Sequence, residues 1–347
     1  MERNITSSLD EQDDTTSHTP TPIIVLRTLS ILLEFSLVVG SNAINLIILP
    51  RINCFSEVTV FLLRSLAVMD LMIGIVVGFA VSPAIMDYWP YGDVFCKFIG
   101  SLGTFFSTAS SLTLMCISLD RYLAVTKPLR YIVIVTLYRA RFVVLTVWIT
   151  CTIFIVILVL ATWPPFQIIT YDAVLCTCIV SFFDGKVLTQ ALCAAAVCVL
   201  VPSIVISVTN AKLLMVSIGH AKRIHAMPGH PQERGGHQGI SLLELKAVKT
   251  TLTITGIYFM AWTPFMIVHL YRAFSSTPAA GWIQFVTGSL VISNSWWNVF
   301  IYCFMNKTFM QKFNEMFLLK CKCTKTEVSS HNSSSTPTDD DFIETIT

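Results

Sequence analysis

Seven stretches of this chain each carry about 20 or more mostly apolar residues, and that repetition limits the fold more than any other feature. They run at about 23–49, 59–86, 96–124, 140–162, 187–216, 248–271 and 282–305, and nothing of comparable length lies between them. A hydrocarbon layer about 30 Å thick is crossed by roughly 20 residues of helix, and only a helix or a closed barrel satisfies its own backbone there. With 54% hydrophobic and 13% charged residues, the chain is too apolar for a water-soluble domain of its size. The expected fold is an all-α membrane protein, a bundle of seven transmembrane helices.

Basic residues give the orientation, because Lys and Arg are retained on the cytoplasmic side. With the N-terminus outside, all of the 23 Lys and Arg except Arg3, Arg27, Lys97, Lys186 and Arg272 fall on cytoplasmic loops, helix ends and tail. The expected location is the cell membrane, multi-pass, with the C-terminus cytoplasmic. Residues 1–22 read as a polar extracellular tail with no visible cleavable signal peptide, and 23–305 as the transmembrane domain. Residues 306–320 read as an amphipathic helix on the inner membrane surface, with Phe309, Phe313, Met316 and Phe317 at helical spacing. The third inner loop, with Pro228-Gly229-His230-Pro231, and the Ser/Thr/Asp-rich tail at 321–347 read as disordered or mobile. Asn4 opens a glycosylation sequon on the outer side. Cys321 and Cys323 follow the amphipathic helix, where they are either palmitoylated or plain surface cysteines.

Ionisable groups within a span are costly unless they face the interior and find partners. Asp70 lies in the middle of the second span, with Asn42, Ser110, Asn294, Ser295 and Asn298 at similar depth on other spans. A carboxylate among neutral oxygen ligands suits a sodium ion; the alternative is a hydrated network that only joins helices. Asp120-Arg121-Tyr122 closes the third span, and Arg121 can pair with Asp120 or, across the bundle, with Glu244, acting as a latch on the sixth helix; the alternative is an arginine snorkelling to water. Cys96 is positioned for a bridge to Cys176 or Cys178 on the oxidising face. Pro83, Pro202 and Pro264 are expected to kink the second, fifth and sixth helices. Glu34 is expected to pair within the bundle. The chain shows no internal repeat of the transporter kind and no paired His/Asp or Ser/His at one depth, which leaves a transporter or channel a remote reading and an enzyme unsupported.

The ordered series Asn42, Leu66-Ala67 with Asp70, Trp89, Cys96, Asp120-Arg121-Tyr122, Trp148, Pro202, Phe259 to Phe265 and Asn298 to Tyr302 resembles the rhodopsin-like (class A) family of G-protein-coupled receptors over residues 23 to about 320. The resemblance implies a receptor that converts binding of an extracellular or membrane-derived small ligand into activation of a heterotrimeric G protein, with no cofactor beyond an allosteric sodium ion at Asp70. It implies that agonist repacks the bundle around Trp262 and Pro264, and that Arg121 and the inner ends of the fifth and sixth helices engage Gα. Leu129 would insert into Gα. A receptor kinase and arrestin would act on the Ser/Thr-rich tail, membrane lipids would surround the bundle, and no nucleic acid is involved.

Departures from the family concern the ligand and the switch. Where amine receptors of this kind carry an aspartate, seven residues after the third-span cysteine, this chain has Gly103; their fifth-span serines correspond to Ala194, Ala195 and Cys198. The helix-six sequence nonetheless resembles that amine group. Ile292 replaces the lysine an opsin needs. Val299 replaces a helix-seven proline, and Asn210 a tyrosine that helps hold the active state, so a constitutively active or ligand-independent receptor is the alternative reading. The expected pocket is lined by Gly103, Thr104, Ser107, Trp262, Phe265, Met266, His269, Gln284 and Gly288, and suits a lipid-like or small aromatic ligand better than a charged one. His269 is either a donor to ligand or a histidine at the membrane edge.

Overall fold

The computed structural model describes residues 19–52, 55–161, 169–180, 199–226, 237–275 and 280–316. Asn4, Ala194, Ala195, Cys198, Pro228 to Pro231, Cys321 and Cys323 lie outside the described residues.

In chain order the elements are α1 (Thr21–Ile48), ending in a 3-10 turn at Leu49–Arg51, then α2 (Glu57–Gly78), α3 (Val81–Met86), α4 (Asp93–Thr126), α5 (Pro128–Ile134) and α6 (Leu137–Ala161). A hairpin of β1 (Ile169–Asp172) and β2 (Thr177–Val180) follows, then α7 (Val201–Ala226), α8 (His237–Phe274), α9 (Gly281–Met305) and α10 at 307–316. The long helices form a seven-helix bundle in which the second crossing is α2 and α3 together. α4 is its axis, packing on α2, α6, α7, α8 and both strands, while α1 closes against α2 and α9.

Local chemistry explains the boundaries. Ser56 caps α2 by accepting the Thr59 amide at 3.2 Å, and Asn306 caps α10 by accepting those of Thr308 and Phe309. The second crossing breaks at Phe79–Ala80, four residues before Pro83, where the proline ring would collide with a helical carbonyl. A wider turn at Val199–Leu200 precedes Pro202, and Pro264 sits within a continuous α8. α9 also runs unbroken through Val299, which has the amide a proline would lack.

Among the described residues, five segments are long and apolar enough to cross a membrane: Thr21–Arg51, Glu57–Met86, Asp93–Thr126, Leu137–Ile157 and Val248–Arg272. Val201–Val216 is a shorter apolar helix preceded by residues outside the described set, and α9, at 25 residues, is long enough but carries a polar row. That row faces inward, with Gln284, Thr287, Ser295 and Asn298 buried. Large apolar side chains such as Leu26, Leu33, Phe142, Leu145 and Ile153 face outward, the pattern a lipid solvent demands. α7 and α8 extend past the apolar spans by about ten residues each, to Ala226 and from His237, where Ala221, Lys222, Arg223 and Ala226 on α7 and Leu242 to Ala247 on α8 are residue types that favour a helix without lipid.

Candidate functional site

Three groups of residues carry chemistry, stacked along the bundle axis. The hairpin covers one end. It pairs in register Ile169↔Val180 to Asp172↔Thr177, and Cys178 of β2 is bonded to Cys96 of α4. Cys176, the other partner weighed from the sequence, lies in the turn with a positive φ of 54°, buried and outside any disulfide, its thiol 3.6 Å from the Ala173 carbonyl. A Cβ on Gly100 would stand 2.5 Å from Ile169 and 2.9 Å from the Cys178 carbonyl, so only glycine lets the strand lie this close to α4. Asp172 fastens the other side: it accepts the Val174 and Leu175 amides and the Gln284 amide at 2.5 Å, and Arg272 stands 3.7 Å away. Arg27 of α1 donates to Asp87 at 2.9 Å and to the Ala84 and Ala173 carbonyls. Burial alone would raise the Asp87 carboxyl, but hydrogen bonds from Thr19 and Arg27 and the charge of Arg27 hold it below the usual carboxylate value.

Beneath this roof lies a cavity of about 230 Å³. Gly103, Thr104, Ser107, Trp262, Phe265, Met266, His269 and Gly288 line it. Gln284 does not: buried, it is turned to Asp172 and belongs to the fastening of the hairpin. His269 is buried rather than at an edge, its ring 3.9 Å from that of Phe265 and its Nδ1 3.0 Å from the Phe265 carbonyl. The sequence reading missed Leu175, which reaches down onto Gly288, and Glu34, which reaches in from α1.

Below, Asp70 is fully buried, with Oδ1 accepting the Ser110 hydroxyl at 2.8 Å and Oδ2 the Asn298 amide at 3.0 Å, and Ser295 also approaching. Asn42 holds the Ser295 carbonyl at 2.9 Å. Ser110, Asn294 and Ser295 border a cavity of about 30 Å³ that Trp262 also borders. A carboxylate with hydroxyl and amide oxygens beside a space of this size is the donor set a small hard cation takes. Trp262 thus touches both the large cavity and the polar centre.

At the opposite end, Arg121 donates to Asp120 at 2.6 Å and to Thr59, and Asp120 accepts further bonds from Thr59 at 2.9 Å and Tyr131 of α5 at 2.8 Å. Burial and the Asp120 charge push the Tyr131 phenol above its usual value, so it remains a donor. Arg121 therefore pairs with Asp120 rather than snorkelling; the Glu244 side chain falls outside the described part of α8. Tyr122 lies under Lys212 at 6.0 Å, and Asn210 joins α7 to α8 through Thr255 at 2.6 Å. Tyr302 is buried against Phe309, their rings 5.6 Å apart, tying α9 to α10. On α5, Leu129 is 86% exposed beside exposed Ile132 and Val133.

An inward polar axis, a roofed cavity and a buried arginine pair at the far end define a membrane signal transducer. The family model described as 7 transmembrane receptor (rhodopsin family) matches residues 41–302, and the chain belongs to that family. It is a multi-pass membrane protein and a G-protein-coupled receptor, responding to a small ligand and signalling through a heterotrimeric G protein. Among its relatives, the histamine H2 receptor of Canis lupus familiaris is 29% identical over 82% of this chain and 73% of the relative. The 5-hydroxytryptamine receptor 4 of Homo sapiens is 27% identical over 76% of this chain and 71% of the relative. Squid rhodopsin shares the fold with a TM-score of 0.75 at 18% identity, covering 91% of this chain and 93% of that one.

Proposed function

We propose that the N-terminus and the hairpin end face outside and the Arg121 end faces the cytoplasm, and that a small ligand entering beneath the hairpin moves Trp262. Support comes from the cavity itself, whose floor at Trp262 is also a wall of the polar space beside Asp70. A displaced Trp262 disturbs the packing at Pro264 and the Asp70–Asn298 bond, and so the pairing of α9 with the axis. Asp70, Ser110, Asn294, Ser295 and Asn298 would hold a sodium ion, whose charge would favour the resting arrangement. Release of Arg121 from Asp120 and Thr59, and of Glu244 and Tyr302 from their resting surroundings, opens a cleft for Gα, into which the exposed Leu129 fits from α5.

The relatives' names speak of histamine and 5-hydroxytryptamine, and a ligand of similar size suits this cavity. The remaining assignments rest on sequence: glycosylation at Asn4, palmitate on Cys321 and Cys323, phosphorylation of the tail by a receptor kinase, arrestin binding, and the absence of catalysis. The test is G-protein dissociation in cells across a panel of Gα sensors, for wild type and Arg121→Ala at matched surface expression. A basal or ligand-raised signal that Arg121→Ala abolishes sustains the reading. A signal indifferent to Arg121 overturns the assignment of that end.

A further inference from the structure

Among the described residues, Glu34 is the one acidic residue lining the large cavity, and it comes from a helix that contributes only Ile31 besides. Its inward position follows from the helix period. Arg27, Ile31, Glu34, Val38, Asn42 and Asn45 form a buried row of α1, spaced three and four apart, so Glu34 is fixed on the face that looks into the bundle. At 1.5 Å per residue it stands about 10 Å along the helix from Arg27, too deep for a short carboxyl side chain to reach water past its own helix.

A carboxyl group at this depth is costly unless a partner answers it. The Ser289 hydroxyl of α9, another cavity-lining group, approaches it. Among the described residues no Lys or Arg forms an ion pair with Glu34; Arg27 is engaged by Asp87 and two carbonyls, and Arg272 by Asp172. On the α4 side of the same cavity Gly103 leaves room, since a Cβ there would meet only Val76 at 3.5 Å. The cavity therefore has an acceptor pair, Glu34 and Ser289, on its α1–α9 wall, none of that charge on α4, and Trp262, Phe265 and Phe285 forming aromatic surface elsewhere.

We propose that this cavity takes a small amine, a primary or secondary ammonium on a flat apolar body, with the ammonium held by Glu34 and Ser289. An ammonium supplies only donors, and a carboxylate and a hydroxyl oxygen supply the acceptors, so each N–H can be matched and the buried charge neutralised. The aromatic surface receives the rest of the ligand and offers its ring faces to the cation. The anchoring charge lies on α1 rather than on the axial helix α4, so the amine sits with its charged end against the α1–α9 wall. This rests on the reading of the cavity as the ligand site.

The test uses the full chain in lipid nanodiscs and its thermal unfolding in titrations of tryptamine and 2-phenylethylamine, each beside its neutral analogue in which a hydroxyl replaces the amine. Wild type is expected to bind the amines about tenfold or more tightly than the alcohols. Glu34→Gln should remove that preference, a loss of about tenfold or more in amine affinity with alcohol binding unchanged. Ser289→Ala should weaken the amines by a smaller factor, and serves as the second variant if Glu34→Gln misfolds. Adding Gly103→Asp to Glu34→Gln should restore amine preference. Amines and alcohols binding alike, with no effect of Glu34→Gln, would overturn the anchor while leaving the cavity as a ligand site. Stabilisation by none of the four probes would overturn both.

Discussion

The two ends of the bundle are held in different ways. At the hairpin end a covalent bond, the Arg27–Asp87 pair and the Asp172 fastening join α1, α3, α4, α8 and α9 through the loop. At the Arg121 end the joints are hydrogen bonds and one ion pair, gathered on Asp120. Next to them stands an exposed apolar ledge, Leu129, Ile132 and Val133, with nothing of this chain upon it among the described residues. A disulfide and interlocked ion pairs keep one geometry; a cluster in which Arg121, Thr59 and Tyr131 all donate to one carboxylate, with a single further bond from Arg121 to Thr59, can be released by few changes. On the proposed function, this contrast places rigidity around the cavity and bistability at the Arg121 end.

If the contrast is real, the largest loss of stability should follow from Cys178→Ser. Opening the bridge to Cys96 should cost about 2–5 kcal/mol in unfolding experiments, and Cys176→Ala should cost far less because Cys176 forms no disulfide and its thiol makes only weak hydrogen bonds to the Ala173 and Val174 carbonyls. Arg27→Ala comes next, at about 2–4 kcal/mol, since it strands the Ala84 and Ala173 carbonyls and Asp87 together; basal signalling should change little. Asp120→Asn should do the reverse, lowering stability by less but raising basal G-protein dissociation about tenfold, as a bias of about 1.4 kcal/mol between states would. Tyr131→Phe removes one bond to Asp120 and should raise basal signalling by about two- to fivefold. Unchanged basal signalling in both of the last two would mean that the cluster is structural. The smallest effect concerns pH. Because the Asp87 carboxyl is held below its usual value, its contribution is present above the pH at which a free carboxyl titrates and is lost as pH falls through the lower native value. The stability difference between wild type and Asp87→Asn should therefore stay flat from pH 8 to 5 and shrink only below about 4.

The helical crossings were legible because length and apolarity suffice to announce them. So were the members of the cavity wall carried on helices, since a helix period puts Gly103, Thr104 and Ser107 on one face and Phe265, Met266 and His269 on another. What escaped the sequence depends on the hairpin. The choice of Cys178 over Cys176 follows from β2 lying against α4, while the backbone at Cys176 turns left-handed; neither is encoded in the spacing of the cysteines. Gln284 was assigned to the cavity because its partner Asp172 is 112 residues away, in a loop whose course no local pattern gives. Glu34 had no motif around it, and only the approach of α1 to α9 brings Ser289 to it. The extensions of α7 and α8 were missed because the search was for lipid-soluble residues, and these helices continue on propensity alone.

The turn that sets Cys176 aside also protects the bridge two residues on. A third thiol so near a disulfide invites exchange, in which a thiolate attacks one sulfur and shuffles the connectivity. Here burial pushes the Cys176 thiol up to about 11, so at neutral pH almost none of it is thiolate, and its side chain has no access to solvent. Once Cys96 and Cys178 have joined, burial of the competing thiol slows exchange and favours a single connectivity for the loop over the cavity.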